Sequence, residues 1–450
     1  MIDCLTDLIP RRRHMRIMHL LMAYLALFST IAAADRPNII FILADDLGYG
    51  DVGCYGQRQI QTPNIDRLAA EGTRFTDFYS GCTVCAPARS CLMTGQHTGH
   101  TWVRGNTGKD GKRVPLRPED VTVAEVLKQA GYVTGIVGKW GLGEPDTTGI
   151  PNRQGFDFWF GYLNQAHAHS YYPDYLWKNQ EKVVLSGNVD GKREQYSHDL
   201  MTQEALGFVE QNKDRLFFLY LAYTIPHAKL EVPSDAPYSD EDWPQPEKNY
   251  AAMITRMDAD VGKLMKRLKD LGLDDKTLVF FASDNGPTSE GGGKAEFFHS
   301  SGPLRGMKRD MYEGGIRVPM IARWPGRIKA GVVSRQVWAM WDFLPTAAEL
   351  AGARVPANID GISMVNALLG KPQKDHEHLY WEFHERGFSQ AVRTGDWKAI
   401  RQNGGKLSLY NLKEDLGETR DLAEAHPDIV ARIEAFLKTA RTESENWPSK

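Results

Sequence analysis

Cysteine is scarce in this 450-residue chain, with five residues at positions 4, 54, 82, 85 and 91. A protein of this size held together by disulfides would need more, so a disulfide scaffold is excluded. Neither sign of charge dominates: 54 Lys+Arg stand against 57 Asp+Glu, for a formal net charge of −3. That balance argues against broad nucleic-acid binding, which needs a basic face. An anionic small substrate stays open, because a few local cations suffice to hold one. Internal repeats and low-complexity tracts are lacking. With 42% apolar and 25% charged residues, the composition excludes collagen-like, coiled-coil and disordered chains. No stretch after residue 34 is apolar enough to span a bilayer. The length suffices for two to three domains.

What is present begins with a leader. Arg11, Arg12, Arg13 and Arg16 precede an apolar stretch from about Ile17 to Ile31, and Ala32-Ala33-Ala34 supplies small residues for cleavage. This reads as a signal peptide over residues 1–34, with Met15 or Met18 as alternative starts, and predicts an exported, periplasmic or secreted protein. The apolar stretch is short for a membrane anchor and is interrupted by His19. Cys4 leaves with the leader.

Apolar runs and amphipathic stretches then alternate. Asn38 to Ala44 reads as a strand buried on both faces. Thr62-Pro63 opens a helix that ends at Gly72, and Thr122 to Gly131 repeats the design, with Thr as N-cap and Gly at C′. Tyr132–Val137, Leu216–Tyr223, Thr277–Ala282 and Val318–Arg323 read as strands, and Ser197 caps a helix running to about Asn212. From about Asn249 to Gly272, Met253, Met257, Val261, Leu264 and Leu268 share one helical face. The alternation predicts a doubly wound, largely parallel α/β sheet with helices on both faces over residues 35–370. Residues 143–196, rich in Tyr, Trp, His and Asn, read as loops over one end of it. From 371 to 450 the pattern predicts a small α+β subdomain: short antiparallel strands and one helix from about Pro427 to Ala440.

In such a sheet, ligands bind beyond the carboxyl ends of the strands. The strands end in Asp45-Asp46, Lys139, His227 and Asp284-Asn285. Each has an ordinary reading as turn or surface residue; together they put carboxylates, an amide, a Lys and a His on one rim. Asp45, Asp46, Asp284 and Asn285 offer oxygen only, which suits Ca²⁺, or Mg²⁺, rather than zinc. Zinc on Cys82, Cys85 and Cys91 fits no common finger spacing.

The most specific signal is Cys85-Ala86-Pro87-Ala88-Arg89, followed after four residues by Thr94-Gly95. Pro87 fits a first helical turn, so Cys85 sits at a helix N-terminus, where an anion is favoured, and Arg89 lies one turn on. This pattern resembles the signature of the type I sulfatases, arylsulfatase-like members of the alkaline phosphatase superfamily. The resemblance extends through Pro37 to Gly48, Gly138-Lys139-Trp140, Thr224-Ile225-Pro226-His227, Ser283-Asp284-Asn285-Gly286 and Leu304-Arg305-Gly306-Met307-Lys308. It implies that Cys85 is oxidised to formylglycine by a formylglycine-generating enzyme during export. It also implies metal ligation by Asp45, Asp46, residue 85, Asp284 and Asn285, and catalytic roles for Arg89, Lys139, His227 and Lys308. The hydrated aldehyde then attacks sulfur, Lys139, Lys308 and the ion hold the sulfuryl oxygens, and His227 or Lys308 protonates the departing alcohol.

One departure stands out. Many family members carry His directly after Gly-Lys-Trp, to help expel sulfate; here that residue is Gly141. His167, His169 and His299 are candidate replacements. For substrate, the expected contacts are His167, His169, Trp381 and His384, whose rings suit a sulfated saccharide, although an aryl sulfate also fits. The competing readings are a phosphonate or phosphate ester hydrolase of the same superfamily and, with Cys85 unmodified, a non-catalytic binder of sulfated glycan.

Overall fold

The apolar run that begins at Asn38 becomes the strand Asn38–Asp45, buried along its whole length. It is a central member of a ten-stranded sheet in the computed structural model, which describes residues 36–449. The expected leader, with Cys4, lies outside the described residues. Asn38–Asp45 pairs with Thr277–Ser283 on one side and with Phe217–Pro226 on the other; Val133–Lys139 and Phe158–Tyr162 follow beyond Phe217–Pro226, and all of these pairings are parallel. Met320–Arg323 runs antiparallel beside Thr277–Ser283, and the hairpin of Tyr175–Lys178 and Glu181–Val184 extends the opposite edge.

Successive side chains of the first strand enter two different cores, as the two-residue period of a strand requires. Ile39, Phe41 and Leu43 pack with Phe280 and Phe343, whereas Ile40 and Ile42 pack with Met253, Met257 and Val261 of the long helix Gln245–Asp270. Parallel strands sandwiched in this way need apolar residues at every position, which is why their sequences read as continuous runs.

The second sheet joins Leu379–Phe383, Ser389–Thr394, Trp397–Arg401 and Leu407–Asn411 in sequential antiparallel order. Ile429, Ile433 and Leu437 of the helix Pro427–Leu437 cover one face. The other face, with Trp381, Phe383 and Ile400, joins the core of the large sheet.

Several expectations are corrected. Residues 143–196 are not simply loops, because Phe158–Tyr162, Tyr175–Lys178 and Glu181–Val184 are strands. The first is cut by a Gly, and the last is a half-exposed edge strand, so neither gives an apolar run. Gly72 does not take the left-handed C′ conformation; it is small because a Cβ there would stand 2.3 Å from the Ala322 carbonyl oxygen. Ser197 is the first helical residue rather than the cap. Trp381 cannot face a sugar: it is 0% exposed, packs on Tyr79 and Trp341, and donates its indole N–H to the Ser80 carbonyl at 2.8 Å.

Replacing Trp381 with Ala is expected to lower the unfolding free energy by about 3–5 kcal/mol. Chemical denaturation measures this, and a loss below about 1 kcal/mol would contradict a packing role.

Candidate active site

Parallel strands deliver their C-terminal residues to one rim. Asp284 and Asn285, Asp45 and Asp46, His227, and Lys139 leave four adjacent strands in that spatial order. Two backbone features aim them inward. Asp46 has a left-handed φ of 65°, which turns the chain sharply after the strand. Gly138 has φ 118°, and a Cβ there would lie 1.8 Å from the Ala222 carbonyl oxygen, so only Gly lets the strand bend just before Lys139.

The helix Cys85–Thr94 is buried throughout and starts at Cys85 itself. Asn106 satisfies one of its free N–H groups, its Oδ1 accepting from Ala86 N at 3.1 Å. The Cys85 Sγ lies 3.5 Å from Asp45 Oδ1 and is 2% exposed. Burial pushes the thiol well above its ordinary pKa, against the pull of Lys139, so the unmodified side chain is a neutral thiol and a poor nucleophile. One turn on, Arg89 is enclosed: its Nη2 is 2.8 Å from Asp284 Oδ2 and 3.4 Å from Asp45 Oδ2, and its Nη1 donates to the Lys139 carbonyl at 2.6 Å. Arg89 therefore braces carboxylates rather than facing solvent.

Lys139 Nζ lies 2.7 Å from Asp45 Oδ2, and Lys308 Nζ 2.7 Å from Asp46 Oδ2. Burial opposes both ammonium charges, but the paired carboxylates more than reverse it and raise both pKa values. Burial likewise opposes ionisation of Asp45, yet Lys139, His227, Arg89 and Lys308 together hold it well below the usual carboxylate range. Asp284 is shifted upward by burial and by neighbouring Asp45.

Burial holds His227 below the ordinary histidine range, against the pull of Asp46 and Asp45. Its Nδ1 sits on the Ala228 carbonyl oxygen, so Nδ1 carries the proton and Nε2 accepts from Lys308 Nζ at 3.3 Å.

The donor set suits a hard divalent cation. Ligand atoms of Asp45, Asp46, Cys85 and His227 all lie within 4.8 Å of one another. Asn285 donates its amide to Asp46 Oδ1 at 2.7 Å, and its own Oδ1 is buried without a partner. An orphaned buried carbonyl oxygen beside carboxylates is what a missing cation leaves behind.

The expected histidines separate. His169 stacks on His227 at 4.6 Å from the solvent side. His167 is instead packed between Tyr162 and Tyr175, at 5.0 and 4.4 Å, and so supports the loop. His299 lines a different hollow, with Gly50 and Gln57. His384 is half-buried, its Nε2 3.1 Å from Glu382 Oε1, at the edge of the second sheet. At Gly141 (φ 83°), a Cβ would stand 2.7 Å from Gln165 Nε2, so the Gln165 carboxamide fills the space a side chain would take.

Sequence reasoning missed the outer ring. Glu290 bonds Lys308 Nζ at 3.3 Å; Arg309 joins Glu290 to Glu385; and Glu385 accepts from Asn106 Nδ2 at 2.9 Å. Only Arg309 adjoins a motif residue. A second His/Asp group, of His97, His100 and Asp360, is internally satisfied: His97 Nδ1 accepts from Gly99 N, and His100 Nδ1 bonds Asp360 at 2.9 Å.

Comparison with known proteins agrees with this arrangement. The family model "Sulfatase" matches residues 37–353, and "N-sulphoglucosamine sulphohydrolase, C-terminal" matches 307–443. Arylsulfatase A of Homo sapiens is 37% identical, over 91% of this chain and 88% of its own length. N-acetylgalactosamine-6-sulfatase of Canis lupus familiaris is 35% identical, over 82% of this chain and 72% of its own. The solved structure of Ps i-CgsB in complex with k-i-k-neocarrahexaose superposes with a TM-score of 0.81 at 33% identity, covering 92% of this chain and 95% of that one. The chain belongs to the sulfatase family, enzymes that hydrolyse sulfuric esters.

Proposed function

We propose that this sulfatase is exported, carries formylglycine at position 85, binds one Ca²⁺ and removes sulfate from a saccharide. The observation that carries the reading is the placement of Cys85 at a buried helix N-terminus, its Sγ 3.5 Å from Asp45 Oδ1 and within 4.8 Å of ligand atoms of Asp46 and His227. Asp45, Asp46, Asp284 and Asn285, with residue 85, would hold the ion. Bound there, a divalent cation would polarise a sulfuryl oxygen and acidify a hydroxyl, and hydrated formylglycine would supply that hydroxyl. We assign Ca²⁺ rather than Mg²⁺ because it accepts roughly six to eight oxygen ligands, which several side chains from two strand ends can supply.

The chain's own residues do the rest. Lys139 and Lys308, both charged at neutral pH, face the same carboxylates and neutralise the sulfuryl group. The proton for the leaving oxygen belongs to Lys308 Nζ, because His227 Nε2 accepts at that contact. His169, exposed above His227, takes a substrate-contact role, and His384, at the edge of the second sheet, takes another. The saccharide assignment leans on the relatives, one named for N-acetylgalactosamine 6-sulfate and one solved with a carrageenan hexasaccharide. Because residue 85 is enclosed, the formylglycine-generating enzyme has to act before the chain folds. Export would be directed by the basic and apolar leader at residues 1–34.

Peptide mass spectrometry of protein made with the converting enzyme should show residue 85 lacking one sulfur and two hydrogens and gaining one oxygen. Cys85→Ala should cost at least about 10⁴-fold in turnover of sulfate esters while leaving thermal unfolding unchanged. Full activity with an intact thiol would sink the nucleophile assignment, and a preference for phosphonate or phosphate esters would move the enzyme to its superfamily neighbours.

Exhaustive chelation should abolish turnover, with Ca²⁺ restoring it and elemental analysis returning about one ion per chain. Undiminished turnover in metal-free protein would remove the metal role from Asp45, Asp46, Asp284 and Asn285.

A further inference from the structure

Beside the active site lies a groove of about 330 Å³, large enough for one sugar ring. Three chain segments that are distant in sequence build it: the turn around Gly105 to Lys109, the turn from His384 to Phe388, and the C-terminal tail from Asn446 to Pro448. They are tied together. Trp447 donates its indole N–H to the Thr107 carbonyl at 3.0 Å, and Lys109 N bonds the Asn446 carbonyl at 3.0 Å. A Cβ at Gly105 would lie 2.5 Å from Trp447 Nε1, so this closure requires glycine there.

Two hydrogen bonds link the groove to the helix that begins at Cys85. Glu385, which lines the groove, accepts from Asn106, and Asn106 in turn caps the N–H of the residue after Cys85. The Phe388 ring is half-buried in the wall, 5.2 Å from the His384 ring. His384 Nε2 is engaged by Glu382, which leaves Nδ1 as an acceptor. Lys109 is exposed and forms no ion pair among the described residues. An apolar ring face, a hydrogen-bond acceptor and an unpaired ammonium side by side suit a pyranose that carries an anion.

We propose that this groove binds the sugar unit next to the one bearing the scissile sulfate, with Phe388 beneath its apolar face and Lys109 holding an anionic substituent on it. The proposal rests on the saccharide reading above and deepens it: the substrate is a sulfated oligosaccharide with charge on consecutive units.

The test titrates sulfated mono-, di-, tetra- and hexasaccharides from carrageenan and chondroitin sulfate into Cys85→Ala protein by calorimetry, so that binding is read without turnover. Affinity should rise about tenfold between one unit and two, and Phe388→Ala should erase that gain. Lys109→Gln should weaken oligosaccharides about threefold, an effect that fades as salt is raised. In active protein, both variants should raise KM for the oligosaccharide and leave kcat/KM for an aryl sulfate at the wild-type value. Affinity independent of chain length, absence of saccharide binding, or equal losses on the aryl sulfate and the oligosaccharide would each overturn the groove. If the wild type removes sulfate from neither the aryl sulfate nor any of the saccharides, the sulfatase reading fails, while the calorimetry still decides the groove.

Discussion

Everything in this site depends on burying six charges together. Asp45, Asp46 and Asp284 face Arg89, Lys139 and Lys308, all at 5% exposure or less. Each charge alone would cost several kcal/mol to desolvate, and each cation finds a carboxylate within 2.8 Å. Removal of one member strands its partner, so the residues act as a unit. This cluster confers little stability, since a matched apolar set would pack at least as well. Its value lies in a fixed field: cations and carboxylates are held in place, out of water, around the place where a sulfate ester would sit.

The fold makes that field possible without designing each contact separately. Parallel strands bring their C-terminal ends to one edge, and at two of these ends a bend or a left-handed residue turns the side chains over the edge. Gly138 and Asp46 do this for Lys139 and for the first carboxylate pair. The helix from Cys85 then presents its N-terminus to the same edge, and Asn106 satisfies one N–H there. A buried nucleophile position, an anion-friendly helix end and a carboxylate pair thus arise from two standard elements meeting at one point.

This explains what the sequence reveals and what it hides. Asp45, Asp46, Asp284, Lys139 and Lys308 are legible because the chemistry fixes both residue type and distance from a strand end or motif. The central strands are legible because burial on both faces leaves an unbroken apolar run. Tyr175–Lys178 and Glu181–Val184 are not, since an edge hairpin is exposed on one side and its composition is that of a loop. Trp381 looks like a sugar platform in one dimension; only the meeting of the two sheets shows that its ring closes a core. Glu290, Asn106 and Glu385 carry no motif, because each works through a hydrogen bond whose partner is remote in sequence.

Gly141 and Gln165 show the same rule at the site's least conventional point. Trp140 N and Gly141 N bond the carbonyls of Tyr162 and Leu163, so the chain beyond Phe158–Tyr162 runs alongside Lys139 to Gly141. Gln165 then folds back over Gly141 and donates Nε2 to its carbonyl at 3.2 Å. A side chain at 141 and the carboxamide at 165 compete for one volume, so the Gly and the Gln belong together. A carboxamide neither takes up nor releases a proton near neutral pH. The groups beside the carboxylates that can exchange a proton are His227, stacked with His169 at 4.6 Å, and Lys308, whose Nζ lies 3.3 Å from His227 Nε2. The loop that supplies Gln165 also supplies His169, so the segment that fills the space at residue 141 also brings an imidazole against His227.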